Sequence, residues 1–184
     1  MPQGHLNILH PGENLLQLNE TLPVSAQETA IVRGSLLVRD SGEWRRSAAT
    51  DANGGTSSTP GPICYWSLQD QVQPDVGFAK ALTAIPCTYP MKLETDQYLS
   101  TDNYAVGCFL QAGDGGLLEV FAAEGNTAVG VLTALPGARW SNDRLANTTY
   151  GGAQRTGAPV TVIQLWSVYI PCLCQVVPTP TPSR

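Results

Sequence analysis

The stretch Lys92–Pro136, KLETDQYLSTDNYAVGCFLQAGDGGLLEVFAAEGNTAVGVLTALP, decides the fold. Its apolar runs are short, and the turn clusters Ser100–Asn103, Gly113–Gly116 and Glu124–Asn126 separate them. The tip Gly113-Asp114-Gly115-Gly116 supplies residues that accept positive φ, so the spacing predicts that strands Val106–Gln111 and Leu117–Ala122 fold back on each other. The stretch therefore reads as a β-meander with polar tips and no reaction centre.

Upstream, Thr29–Arg39 is rich in β-branched and aliphatic residues, Asp40–Glu43 turns, and Trp44 onward continues, which predicts a second hairpin. Asp51–Pro62, DANGGTSSTPGP, carries no apolar side chain larger than Ala and reads as a long exposed loop. Ile63–Leu68 is strand-like and Gln69–Gly77 is turn or loop. Ala79–Ile85 fits either a helical turn or a strand, soon ended by Pro86 and Pro90. Little α-helix can be placed anywhere.

Downstream, Gly137–Gly157 is a long polar segment without alternation, which only packing against something else could order. In Ala158–Pro171 both alternating faces are largely apolar, so this strand is expected to be central or covered on both sides, with Trp166 against the core. Val177–Arg184 repeats proline every second residue and predicts an extended, polyproline-like tail. At the other end, residues 1–30 scatter Leu, Ile and Val among Asn, Gln and Pro with no sustained period. They fit an extended arm lying on a surface or, equally, an amino-terminal strand Leu15–Leu18 closing the sheet. The expected organisation is an N-terminal arm (1–30), a β-core (31–136), an irregular segment plus closing strand (137–177) and a Pro-rich tail (178–184). The fold class is mainly β: a small β-barrel or β-sandwich module with an extended N-terminal arm and a long irregular C-terminal segment.

Composition agrees. The 184 residues are 42% hydrophobic and 14% charged, enough for one domain-sized core. A net charge of −5, with basic residues scattered singly apart from Arg45-Arg46, gives no face to track a phosphate backbone, so no nucleic-acid partner is expected. Residues 1–5 lack the basic start and apolar run of a signal peptide, and no window approaches a membrane-spanning length, so the reading is of a cytosol-made chain without a membrane partner. The five cysteines, Cys64, Cys87, Cys108, Cys172 and Cys174, contain no CxxC pair and read as reduced, mostly buried thiols. Cys172 and Cys174 would share one strand face, yet they have no neighbouring His or Cys to complete a metal site.

Catalytic readings are poor. His5 and His10 sit in the irregular first segment beside Gly4 and Pro11, without a scaffold to fix a tautomer, and no Gly-x-Ser-x-Gly elbow occurs. Asp96, Asp102, Asp114, Glu119 and Glu124 fall in or near turns, where carboxylates accept local backbone hydrogen bonds. Asn53-Gly54-Gly55-Thr56 is followed by neither Gly-Lys-Ser/Thr nor a helical pattern, which removes a phosphate loop. No enzyme activity and no cofactor are expected. The Trp and Tyr residues are spread along the chain and suit core packing first, a protein interface second and a sugar platform third.

With the meander laid out, the segment Ala30–Pro136 resembles the β-module of tailed-bacteriophage head decoration, or capsid cement, proteins. The likeness rests on Ile31-Val-Arg-Gly-Ser-Leu-Leu-Val38, Tyr104-Ala-Val-Gly-Cys-Phe-Leu110, the tip Gly113–Gly116 and Ala128-Val-Gly-Val-Leu-Thr-Ala-Leu-Pro136. It implies a structural virion protein, made in the host cytoplasm, that binds the major capsid protein on the outside of an icosahedral head as a homotrimer and stabilises the shell. Such a job needs no active site and gains from irregular arms spread over neighbouring subunits. Segment 137–184 departs from the compact members of that family. Candidate interface residues are then the apolar and aromatic side chains of the two aperiodic segments: Leu6, Ile8, Leu9, Leu15, Leu16, Trp140 and Tyr150. The competing expectation is another virion or surface β-module, such as a tail or fibre component or a carbohydrate-binding domain.

Overall fold

A computed structural model describes residues 4–10, 19–53, 62–72, 81–88, 90–122, 125–140 and 159–171. Within them the chain forms thirteen strands: β1 (Leu6–His10), β2 (Glu20–Pro23), β3 (Ala30–Ile31), β4 (Leu36–Asp40), β5 (Glu43–Arg46), β6 (Cys64–Ser67), β7 (Gln71–Val72), β8 (Ala81–Pro86), β9 (Met91–Thr95), β10 (Phe109–Ala112), β11 (Leu118–Val120), β12 (Ala128–Trp140) and β13 (Pro159–Ile170). Two short 3-10 turns, Ala49–Ala52 and Asp114–Gly116, are the helical content of the described residues.

The strands build a six-stranded sheet in the order β1-β9-β13-β12-β10-β11 and a five-stranded sheet in the order β2-β8-β6-β4-β5, both antiparallel; β3 and β7 pair separately. Of the two expected architectures this is the sandwich: two antiparallel sheets share a core and neither closes into a barrel. The shared core takes Leu36 and Val38 from β4, Cys64 and Trp66 from β6, and Ile85 from β8 on one side. On the other side stand Met91 and Leu93 of β9, Leu110 of β10, Leu118 of β11, Leu132 of β12 and the β13 pair Ile163 and Leu165. Leu132, Leu165, Leu93 and Ile8 are opposite one another across four strands, so one transverse row of aliphatic side chains carries the packing of the larger sheet.

The smaller sheet buries its second face as well. Leu37, Trp44, Leu82, Ala84 and Ile31 form a separate apolar cluster, with Leu22, Val24 and Tyr65 against it. Alternation along β4 sends Leu36 and Val38 to one cluster and Leu37 to the other, which explains a Leu-Leu-Val run with no polar break. The sheet curls far enough for its edges to touch at one point. Val24 bridges Trp44, the Ser25 N–H reaches the Trp44 carbonyl at 2.9 Å, and the Trp44 indole donates to the Leu82 carbonyl at 2.8 Å. A single bridge is contact, not closure.

Turn chemistry follows the sequence. Ser41 and Gly42 join β4 to β5 with φ of 50° and 86°, the positive pair that a tight two-residue hairpin turn requires. The expected strand Thr29–Arg39 is broken, because Gly34 takes φ 87° and divides β3 from β4. The described part of Ala79–Ile85 belongs to the strand β8, Ala81–Pro86. Gly137–Trp140, expected to begin an irregular segment, continues β12 opposite Pro159–Val162 of β13. Residues 1–30, expected as an arm, contribute the edge strands β1 and β2 of the two sheets in their described part. The expected strand Leu15–Leu18, the loop residues 54–61 and the tail 178–184 lie outside the described residues.

Candidate interaction surface

The outer face of the six-stranded sheet carries the most exposed aromatic residue of the described chain. Trp166 is 40% exposed, whereas Trp44 and Trp66 are fully buried. Strand register places Trp166 between Lys92 on β9 and Val131 on β12, and Val131 opposite Phe109 on β10. The Phe109 ring meets the Phe121 ring edge-on at 6.4 Å. This is a transverse row of aromatic, aliphatic and cationic side chains on a face turned away from the shared core. Trp166 was expected against that core. Ile163, Leu165 and Ser167 take the inner face of β13 instead, and period-two alternation sends Trp166 outward with Gln164.

Beside this row lies a polar one. Asn7 of β1, Glu94 of β9 and Gln164 of β13 are directly opposite one another. Glu94 Oε1 accepts from the Asn7 amide at 3.2 Å and meets His5 Nε2 at 3.2 Å, and its Oε2 accepts from the Gln164 amide at 3.3 Å. Burial alone would raise the Glu94 pKa; the hydrogen bonds from Asn7, His5 and Gln164, with the His5 charge, outweigh it and hold the carboxyl below its ordinary range. His5 and Glu94 are both buried, so the pair is a structural clasp with no substrate access.

Most other carboxylates hold main chain. Asp70 Oδ1 accepts from the backbone N–H of Gly4 and of Arg33, both at 2.8 Å. Asp96 accepts from His5 N–H at 2.9 Å, Asp102 from Val120 N–H at 2.8 Å and Asp114 from Ala49 N–H at 2.8 Å. The turn carboxylates thus accept backbone hydrogen bonds as expected, but from segments 91, 18 and 65 residues away and not from their own turns. Asp51, expected in an exposed loop, is buried: Arg45 donates two hydrogen bonds of 2.8 Å to it and Ala48 N–H a third of 2.7 Å. Arg46 pairs with Glu28 at 2.7 Å, so both members of the adjacent basic pair are engaged within the fold.

Of the predicted interface residues, Leu6 and Ile8 are half-buried and pack against the shared core. That corrects their assignment, because alternation on β1 turns them inward. Leu9, at the bulge of β1, is exposed. Trp140 lies at the end of β12, its side chain outside the described residues, as are Leu15, Leu16 and Tyr150. The surface residue missed in the sequence was Trp166, and its signal was Gln164 in the same alternating register.

Cys64 and Cys87 are buried. Burial is the main cause that pushes the Cys64 thiol up to about 12, with the Asp51 charge adding and Arg45 opposing; burial likewise raises Cys87 well above a free thiol. Cys172 and Cys174 lie outside the described residues. Among the described residues no three His, Cys, Asp or Glu side chains gather where they could hold a metal ion, and no helix is long and apolar enough to cross a membrane. Comparison with family models, with curated proteins and with solved structures gave no match to this chain.

Proposed function

We propose that this protein is a structural virion component, binding the outside of an icosahedral phage head and stabilising it as a capsid cement, with the major capsid protein as partner and a homotrimer as its assembled form. The observation that carries the reading is the transverse row Phe109–Val131–Trp166–Lys92 on the outer face of the six-stranded sheet. A sheet face with an exposed indole, bordered by aliphatic and cationic side chains, suits burial against another protein. The sequence likeness of Ala30–Pro136 to decoration proteins points to the partner, and the commitment of the acidic side chains to backbone fits a protein whose task is to hold.

Co-sedimentation with expanded, undecorated heads tests this reading. Saturable binding at a stoichiometry divisible by three is expected. Failure to bind, or binding by a protein that light scattering shows to stay monomeric on the head, overturns it. One observation favours a second reading: an exposed Trp on the outer sheet face also suits stacking on a sugar ring, as in a tail, fibre or carbohydrate-binding module. Glycan-array binding lost in Trp166→Ala, with no affinity for heads, would select that reading.

A further inference from the structure

We propose that residues 4–10 form a detachable strand, locked to the sandwich by hydrogen bonds to Asp70, Glu94 and Asp96, which protonation of Glu94 releases while the two-sheet body stays folded. The lock is local and dense. Gly4 N–H donates to Asp70 Oδ1, His5 N–H to Asp96 Oδ1, the Asn7 amide to Glu94 Oε1, and His5 Nε2 meets the same Glu94 oxygen. Two further backbone contacts, Asp96 N–H to the His5 carbonyl and Arg33 Nε to the Gly4 carbonyl, complete it. The seat is closely shaped: a Cβ on Gly4 would meet the Arg33 carbonyl, and one on Gly34 would stand 2.5 Å from Thr95 Oγ1 and 2.8 Å from the His5 carbonyl.

What holds β1 apart from these bonds is modest. Among the described residues it is an edge strand with β9 as its one ladder partner, interrupted by a bulge after Ile8, and Leu6 and Ile8 are only half-buried. β13, by contrast, is paired on both sides and sends Ile163 and Leu165 fully into the core. Opening free energies differ across a protein in this way, lowest where apolar burial is small and each strand has one neighbour. The ionisable groups around the lock are His5 just before β1, Lys92 on β9 and Asp96 just past its end, and Arg33 and Asp70 at the entry; β13 presents the neutral Gln164. Glu94 accepts its bonds ionised and is held below its ordinary range by Asn7, His5 and Gln164, so its contacts persist through the ordinary carboxylate range and weaken as pH falls through that lowered value. Release uncovers the edge of β9, a row of unpaired backbone groups.

Hydrogen exchange of the full-length chain, converted to protection factors to remove intrinsic pH effects, reads the release directly. Between pH 7 and about pH 2.5, below the ordinary carboxylate range, the amides of residues 5–8 are expected to lose at least tenfold more protection than those of β12 and β13, with tryptophan fluorescence still native. The double variant Glu94→Gln with Asp96→Asn keeps acceptor oxygens but removes both charges. It should lower protection of residues 5–8 at least tenfold at pH 7 and flatten their pH dependence. Loss of protection in β1 only together with the body, or full protection of β1 in the double variant at pH 7, overturns the proposal.

Discussion

Trp66 and Ser167, 101 positions apart in sequence, join the two sheets through the middle of the core: the indole N–H donates to Ser167 Oγ at 2.9 Å, and the Ser167 hydroxyl donates on to the Cys87 carbonyl at 3.1 Å. All three groups are buried. Ser167→Ala leaves a buried N–H and a carbonyl without this partner, and stability is expected to fall by about 1–3 kcal/mol, the usual cost of an orphaned buried polar group. Urea denaturation checks it; an unchanged midpoint would mean that the core satisfies the indole some other way.

Asp51 links stability to pH. Burial raises its pKa, but the hydrogen bonds from Arg45 and Ala48 N–H, with the Arg45 charge, prevail, so its folded value lies below the ordinary carboxyl value of 3.8. A depressed folded pKa contributes stability above the unfolded value, and that contribution disappears as pH falls through the folded one. The urea midpoint should therefore hold from pH 7 to about 4.5 and drop below pH 4. Asp51→Asn should be less stable at pH 7 and lose less between pH 4 and pH 3. An equal acid loss in wild type and variant would exclude Asp51 as a source.

Gly34 and Gly42 share φ values of 87° and 86° but differ in surroundings. Alanine at Gly42 meets nothing within 4 Å, so only the left-handed backbone is penalised, by about 1 kcal/mol. Alanine at Gly34 adds overlap with Thr95 Oγ1 and the His5 carbonyl, and its cost is expected to exceed the Gly42 cost by about 1–3 kcal/mol. Thermal unfolding of the two variants side by side measures the difference; equal losses would show that the turn at Gly34 yields freely.

Trp166→Ala should separate binding from folding. With the indole 40% exposed on the outer face, truncation is expected to cost under about 1.5 kcal/mol of stability, well below the cost of about 3–5 kcal/mol for a buried Trp. Trp44→Ala serves as the buried comparison. Head or glycan binding should fall at least tenfold in Trp166→Ala. A stability loss equal to that of Trp44→Ala would place the indole in a packing role.

Strand positions were readable where alternation or turn chemistry was local. The Gly113–Gly116 tip, the Asp40–Glu43 turn and the apolar runs at Cys64–Ser67 and Ala128–Pro136 all follow from a few neighbouring residues. What escaped depends on distant partners. Nothing near Asp70 announces that it will hold Gly4, 66 residues away, and nothing near Asp96 announces that it will hold His5, 91 residues away. Leu6 and Ile8 read as interface because a five-residue edge strand is too short to show its period; pairing with β9 turns them inward. Trp166 was misplaced for the opposite reason. Its strand is apolar on both faces, so composition could not say which face meets the second sheet.

The order of strands also sets the order in which the molecule can be built. Every strand of the five-stranded sheet lies between residues 20 and 86, whereas the six-stranded sheet needs both β1 and β13. β13 is the last of the described strands to be made and sits in the middle, so until the ribosome delivers it β9 and β12 lack this shared partner and β1 pairs onto a β9 without it. Chains fold from the N-terminal end as they emerge, and long-range pairing is slow. Nascent chains stopped after residue 140 are expected to protect the strands β2, β4, β5, β6 and β8 from protease while β9 stays cleavable; protection of β9 at that length would show that the larger sheet does not wait for its central strand. Translation would then deliver half a sandwich first, with one face of a finished sheet wet until the final third of the chain arrives to cover it.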